Sequence, residues 1–150
     1  DERWLISGRA RSGGGFAAIY TPLMFEVERI GAEEVLAYTG CDAQPDLGFG
    51  VVVGTGGRAI SVKDGEVIPT EVPGGPDLSS VAVDASGRAW ATSIASVWLH
   101  QPEEGHSWSL VWQDTAWNVP FVSVFADVGR VIAMTIDGAV VEGRWEPNPA

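Results

Sequence analysis

Apolar and polar residues alternate along this chain in short runs, and glycine, proline or aspartate interrupts each run before a helical period can build up. Leu78 to Val83, Arg88 to Thr92, Val97 to His100 and Ser107 to Gln113 read as four successive strands. Asp84-Ala85-Ser86-Gly87 is a turn between the first two, with Asp first and Gly last, and Pro102 to Gly105 closes the last hairpin. Upstream, Glu34 to Thr39, Gly48 to Val53, Arg58 to Val62 and Glu66 to Val72 form a second set, with Lys63-Asp64-Gly65 as its final turn and Pro73-Gly74-Gly75-Pro76 as the link. A helix over 32–37 is disfavoured, because six residues bounded by Gly31 and Gly40 are too few to be stable alone. The two ends supply three strands each: Arg3 to Ser7, Phe16 to Tyr20 and Phe25 to Ile30 at the start, Phe121 to Phe125, Arg130 to Thr135 and Ala139 to Trp145 at the close.

These sets repeat. Ser80 to His100 slides onto Val122 to Glu142 without a gap, placing Gly87 on Gly129, Trp90 on Ile132 and Trp98 on Val140 at an offset of 42 residues. That offset lies within the ~40–45 residues of a four-stranded propeller blade. The chain is thus predicted to be all-β, a partial β-propeller of about three to four four-stranded blades, approximately 1–31, 32–75, 76–117 and 118–146. Both ends fall in mid-blade, the first blade lacking its first strand and the last its fourth. Open edges and uncovered blade faces call for other polypeptide, so a protein partner or a second copy completing the propeller is expected.

The segment Gln101-Pro102-Glu103-Glu104-Gly105-His106-Ser107-Trp108 resembles the Asp-box, or BNR repeat, of sialidases, sortilin-like receptors and photosystem assembly-factor propellers. Gly105, Ser107 and Trp108 match its pattern, Glu103 stands in place of the acid, and Gln101 departs from the hydroxyl residue. The resemblance implies a structural hairpin in which glycine supplies the turn and tryptophan packs beneath it. Gly87, Gly105, Ser107, Trp108 and Gly129 are accordingly assigned to turns. Sialidases use an arginine triad and a tyrosine nucleophile, for which the candidates are Arg58, Arg88 and Arg130 with Tyr20 or Tyr38. The arginines sit in turn contexts and the tyrosines in no recognisable setting, so the chain is expected to be a non-catalytic propeller binding or assembly subunit, with a glycan-binding or sialidase-like fragment and a structural component of a multi-subunit complex as the alternatives.

Composition narrows the partners. Twenty acidic residues against nine basic ones give a net charge of −11, which repels phosphate backbones, so nucleic acid is not expected. No apolar run approaches the roughly 20 residues of a membrane span. The lone Cys41 builds neither a disulfide nor a thiolate metal site and would form a nucleophilic dyad with His100 or His106 only if the fold brought them together, while the two histidines, expected as exposed residues flanking the box, are two ligands where zinc needs more. The acidic loop 42–46 lacks calcium-loop spacing, and the glycine runs at 12–15 and 54–57 lack the lysine of a phosphate loop. No cofactor and no metal are expected. The chain begins at Asp1 without methionine, which suggests a processed form or a fragment. Tryptophan is in excess, and Trp112 and Trp117, flanking the polar stretch Gln113-Asp114-Thr115, are the candidate binding residues for a protein partner, with a glycan possible.

Overall fold

The computed structural model describes residues 2–32 and 34–144, in which strands pair with their neighbours in sequence to form four antiparallel meanders. Sheet 1 holds β1 (Trp4–Arg9), β2 (Gly15–Thr21) and β3 (Glu26–Arg29). Sheet 2 holds β4 (Tyr38–Gln44), β5 (Phe49–Gly54), β6 (Arg58–Lys63) and β7 (Glu66–Glu71). Sheet 3 holds β8 (Ser80–Val83), β9 (Ala89–Ser93), β10 (Ser96–Gln101) and β11 (Ser107–Gln113). Sheet 4 holds β12 (Phe121–Asp127), β13 (Arg130–Thr135) and β14 (Val140–Arg144). This is the predicted partial propeller, with two four-stranded sheets between two of three strands.

Sheets 2 and 3 are each packed between two neighbours, which is why their inner strands lack simple alternation. All six residues of β5 are buried. Phe49, Val51 and Val53 pack toward Val81, Val83, Ala89 and Ala91 of sheet 3, whereas Val52 joins Ile60, Tyr38, Val35 and Ala17 on the side of sheet 1. A strand covered on both faces reads as a continuous apolar run. Gly50 belongs to this packing, since a Cβ there would lie 2.4 Å from Leu5 Cδ1. Pro69 is tolerated because β7 lies at the edge of its sheet. Sheets 3 and 4 meet through Ala82, Trp90, Val97 and Leu99 against Phe121, Val124, Val131 and Ala133.

The innermost strands run side by side. Thr39 Oγ1 donates to Leu78 O at 2.7 Å, and Val83 N–H to an Asp42 carboxylate oxygen at 2.7 Å, so β8 runs parallel to β4. Val124 N–H reaches Ser80 Oγ at 3.3 Å between β12 and β8. Sheet 1 differs. Leu5, near the start of β1, lies beside Cys41 and Gly50, while Gly15, opening β2, lies against Tyr38, which opens β4. β2 therefore shares the direction of β4, the polarity expected where the first strand is missing. β1 nonetheless packs directly along β4, occupying the innermost place.

Three expectations need correction. The first strand of sheet 2 is Tyr38–Gln44, not 34–39. Asp42 looks like a loop residue, but its carboxylate staples β4 to β8, while Val35 serves as a buried plug from an irregular segment. The segment 34–37 is neither strand nor helix, and residue 33 lies outside the described residues. The gapless 42-residue alignment also slips by one in the strands flanking β9 and β13: Ala82 pairs with Trp90 as Phe125 pairs with Ile132, and Trp98 pairs with Ala91 as Val141 pairs with Ala133. The turn at Asp127 to Arg130 is one residue shorter than that at Asp84 to Arg88. Gly87 and Gly129 still occupy equivalent turns, with φ of +82° and +73°.

Gly105 also has a positive φ, following a 3-10 turn at Pro102–Glu104, and Ser107 Oγ closes the turn onto Glu104 O at 3.2 Å. Trp108 is buried in the joint between sheets 2 and 3, where its indole N–H donates to Thr70 Oγ1 at 3.1 Å. Truncating a buried aromatic costs ~3–5 kcal/mol. Trp108→Ala is expected to lose stability of this size in urea unfolding, with Trp108→Phe retaining most of it; an unchanged midpoint for the alanine variant would refute its place in the joint.

Candidate functional site

The aromatic residues after β11 converge on one buried ring. Trp112, near the end of β11, and Trp117, in the connection to β12, meet edge-on with ring centroids 6.2 Å apart. Both lean on Phe121, Trp112 edge-on at 5.7 Å and Trp117 stacked at 6.2 Å, while Phe121 itself is fully buried. The Trp117 indole N–H is satisfied by Val119 O at 2.9 Å, so this half-buried ring presents carbon to its surroundings. The Asp114 carboxylate accepts the N–H of Ala116 at 2.9 Å and shapes the turn that brings Trp117 back. Beside Trp112 a cavity of about 340 Å³ opens between Val97 and Val111 of sheet 3 and Val141 and Gly143 of sheet 4.

A second apolar surface escaped the sequence reading. Leu23, Met24 and Phe25 form the tip of the β2–β3 hairpin at 79%, 61% and 84% exposure. Phe25 adopts a left-handed conformation, φ +53°, and its N–H donates to Pro22 O at 3.2 Å. The sequence signal was present in three large apolar residues directly after Thr21-Pro22, where a turn ordinarily carries polar ones. Phe25, which the apolar run predicts to open a strand, stands in the turn, and β3 begins one residue later.

The arginines do not converge as a triad. Arg58 pairs with Glu71 at 3.1 Å and Arg130 with Glu142 at 2.9 Å, each across its own sheet. Arg88 bonds Asp84 at 2.9 Å in the β8–β9 turn. Asp84 is 1% exposed and also accepts from the N–H and hydroxyl of Ser86, the N–H of Arg88 and the Trp90 indole. Burial alone would raise its pKa, but these hydrogen bonds and the Arg88 guanidinium outweigh it and hold the carboxyl below the usual range. Tyr38 is buried, its hydroxyl accepting the N–H of Ala32 at 3.0 Å, and Tyr20 packs edge-on against Trp4. Cys41 points toward Leu5 O on the sheet 1 side of sheet 2, whereas His100 faces the opposite side of that sheet, so the two form no dyad.

His100 is not exposed. It is fully buried between Phe49, stacked at 6.1 Å, and Trp108, at 5.0 Å, with Nε2 3.3 Å from Ser61 Oγ. His106 is half-buried at 5.6 Å, and the Nδ1 atoms of both rings are shut away from solvent. Burial, aided by repulsion from His106, pushes His100 down to about 4 against a hydrogen bond with the His106 backbone. Among the described residues no group of three or more His, Cys, Asp or Glu is placed to hold a metal ion, and no helix is long and apolar enough to cross a membrane.

No protein-family model matches the chain, and no curated protein matches it. Solved structures do. The computationally designed Ika4 protein superposes with a TM-score of 0.70 over 93% of this chain and 84% of its own, at 10% identity. The extracellular domain of BT4673 from B. thetaiotaomicron gives 0.61 at 14% identity, covering 93% of this chain but 21% of that one. Virginiamycin B lyase from Staphylococcus aureus, a β-propeller, gives 0.58 at 14% identity over 96% of this chain and 56% of its own. The chain therefore spans about a fifth of the BT4673 domain and just over half of the lyase. At these identities the likeness is one of fold.

Because the folded state keeps His100 neutral down to about pH 4 while the unfolded chain binds that proton near 6.5, stability falls as pH drops between those values. The loss is on the order of 3 kcal/mol at its full extent. Urea unfolding at neutral pH and near pH 4.5 is expected to show a smaller drop for His100→Leu than for the parent chain; equal drops would contradict a neutral, buried His100.

Proposed function

We propose that this chain is a non-catalytic β-propeller binding module that recognises a protein partner through loops and aromatic residues. The carrying observation is the Leu23-Met24-Phe25 tip, a run of large apolar side chains held in water by a tight hairpin turn. Such a loop on a rigid sheet contributes nothing to its own fold's core and offers anchors of the kind that dominate protein interfaces. Trp112 and Trp117 supply a second candidate contact, fixed in orientation by Phe121 so that little conformational entropy is lost on binding. The Asp-box-like turn over Gln101 to Trp108 suits membership among Asp-box propellers, in which that motif builds hairpins. Ion pairing of Arg58, Arg88 and Arg130 within their own sheets, and the separation of Cys41 from His100, support a role without catalysis. The net charge of −11 favours a partner with basic residues around an apolar centre.

A displayed random-peptide library and a glycan array separate this role from its alternative. Enrichment of basic, aromatic-rich peptides by the parent chain is expected, with at least about tenfold weaker binding, on the order of 1.4 kcal/mol, for Phe25→Ser or Trp117→Ser. Binding to the array with no peptide enrichment would replace the proposal by glycan recognition, and peptide binding indifferent to both substitutions would remove these residues from it.

A further inference from the structure

The far face of sheet 4 repeats the face by which sheet 3 packs on sheet 4, but it is uncovered. On sheet 3 that face carries Ala82, Trp90 and Val97, all buried. The register puts Phe125 where Ala82 stands, Ile132 where Trp90 stands and Val140 where Val97 stands, since Phe125 pairs with Ile132 and Val140 with Met134 as Ala82 pairs with Trp90 and Val97 with Thr92. Phe125, Met134 and Val140 are 60%, 44% and 61% exposed. Asp127, Arg130, Glu142 and Arg144 rim this patch, an apolar centre with a polar edge as in protein interfaces.

The other end of the chain carries the matching half. The far face of sheet 1 corresponds to the face that sheets 2, 3 and 4 each turn toward their predecessor. It presents Trp4 edge-on to Tyr20 at 6.1 Å, Val27 opposite Tyr20, and Phe16 beneath the Arg29 guanidinium. Trp4 and Val27 are 53% and 58% exposed. One end therefore carries the trailing half of a sheet-to-sheet joint and the other end carries a leading half.

We propose that these two faces dock on each other between two copies of the chain, sheet 4 of each against sheet 1 of the other. A second copy is the occupant that necessarily brings the complementary half to both ends, and its joint continues the packing already present between sheets 1 and 2, 2 and 3, and 3 and 4. Two copies of the four described sheets give a closed ring of eight, within the about 4–8 blades of propellers, whereas three copies exceed that range. The contact is head-to-tail and closes by two-fold rotation, so no apolar end face is left in water. The inference uses neither the hairpin tip nor Trp112 and Trp117, and it stands or falls apart from the proposed function.

Sedimentation equilibrium on the purified chain tests it. The expected mass is twice 15.9 kDa, with tighter association at higher salt because screening relieves repulsion between two chains of charge −11. Phe125→Glu with Met134→Glu, and separately Trp4→Glu with Val27→Glu, are expected to be folded monomers by circular dichroism, since all four side chains are exposed. Mixing the two variants leaves one intact joint per pair and is expected to restore a weaker dimer. A parent chain that stays monomeric up to its solubility limit, a dimer that survives both double substitutions, or variants that fail to pair on mixing would each overturn the proposal.

Discussion

The Asp84 carboxylate is the constraint on which the joint between sheets 3 and 4 depends. It is buried and charged, and it gathers the donors of its own turn together with the indole N–H of Trp90. A buried carboxylate persists only where hydrogen bonds replace the water it has lost. Here the replacement fixes two things at once: the β8–β9 turn closes with Gly87 in the left-handed region, and the Trp90 ring is aimed across the joint at Val124, Val131 and Ala133. Turn chemistry and sheet packing are thereby coupled through a single side chain. The corresponding position in sheet 4 is Asp127, which accepts a short local bond from Val128 N–H in a tighter turn, and Ile132, in the place of Trp90, faces outward with no sheet to meet.

Each internal joint absorbs the apolar residues of two sheet faces, which leaves a rigid stack with nucleophile and base candidates fixed on different sides of sheet 2. Apolar area then remains at the hairpin tip of sheet 1, around Trp112 and Trp117, and on the two end faces. Each of these is held by backbone geometry or by packing rather than by a mobile loop, which suits recognition by preformed contact.

Much of this architecture was legible because turns announce themselves. Asp84-Ala85-Ser86-Gly87, Lys63-Asp64-Gly65 and the Gln101 to Trp108 segment each combine residue types that only a tight hairpin needs, and the strands follow from where the turns fall. Sheet 3 was read nearly to the residue for that reason. β4 was misplaced because Asp42 and Gln44 look solvated, and nothing local says that Asp42 will cap a backbone N–H on the next sheet. The one-residue slip in the repeat arose because turn lengths differ while side-chain alternation has a period of two, so an ungapped alignment scores well with strand faces inverted. Polarity at a strand end usually means water, which predicts an exposed His100, whereas its burial depends on Phe49 and Trp108 from two different sheets. The same limit applies to the position of β1, which is set by packing on β4 and not by its own alternation.

The central claim, that Asp84 holds turn and joint together, is tested most directly by amide hydrogen exchange on Asp84→Asn. Asparagine keeps the shape but turns one acceptor oxygen into a donor facing Arg88 or Trp90. Protection is predicted to fall in β9 and, across the joint, in β12 and β13, while sheet 2 between Tyr38 and Glu71 keeps its own. Loss of protection confined to residues 84–88, with β12 and β13 unchanged, would contradict the account.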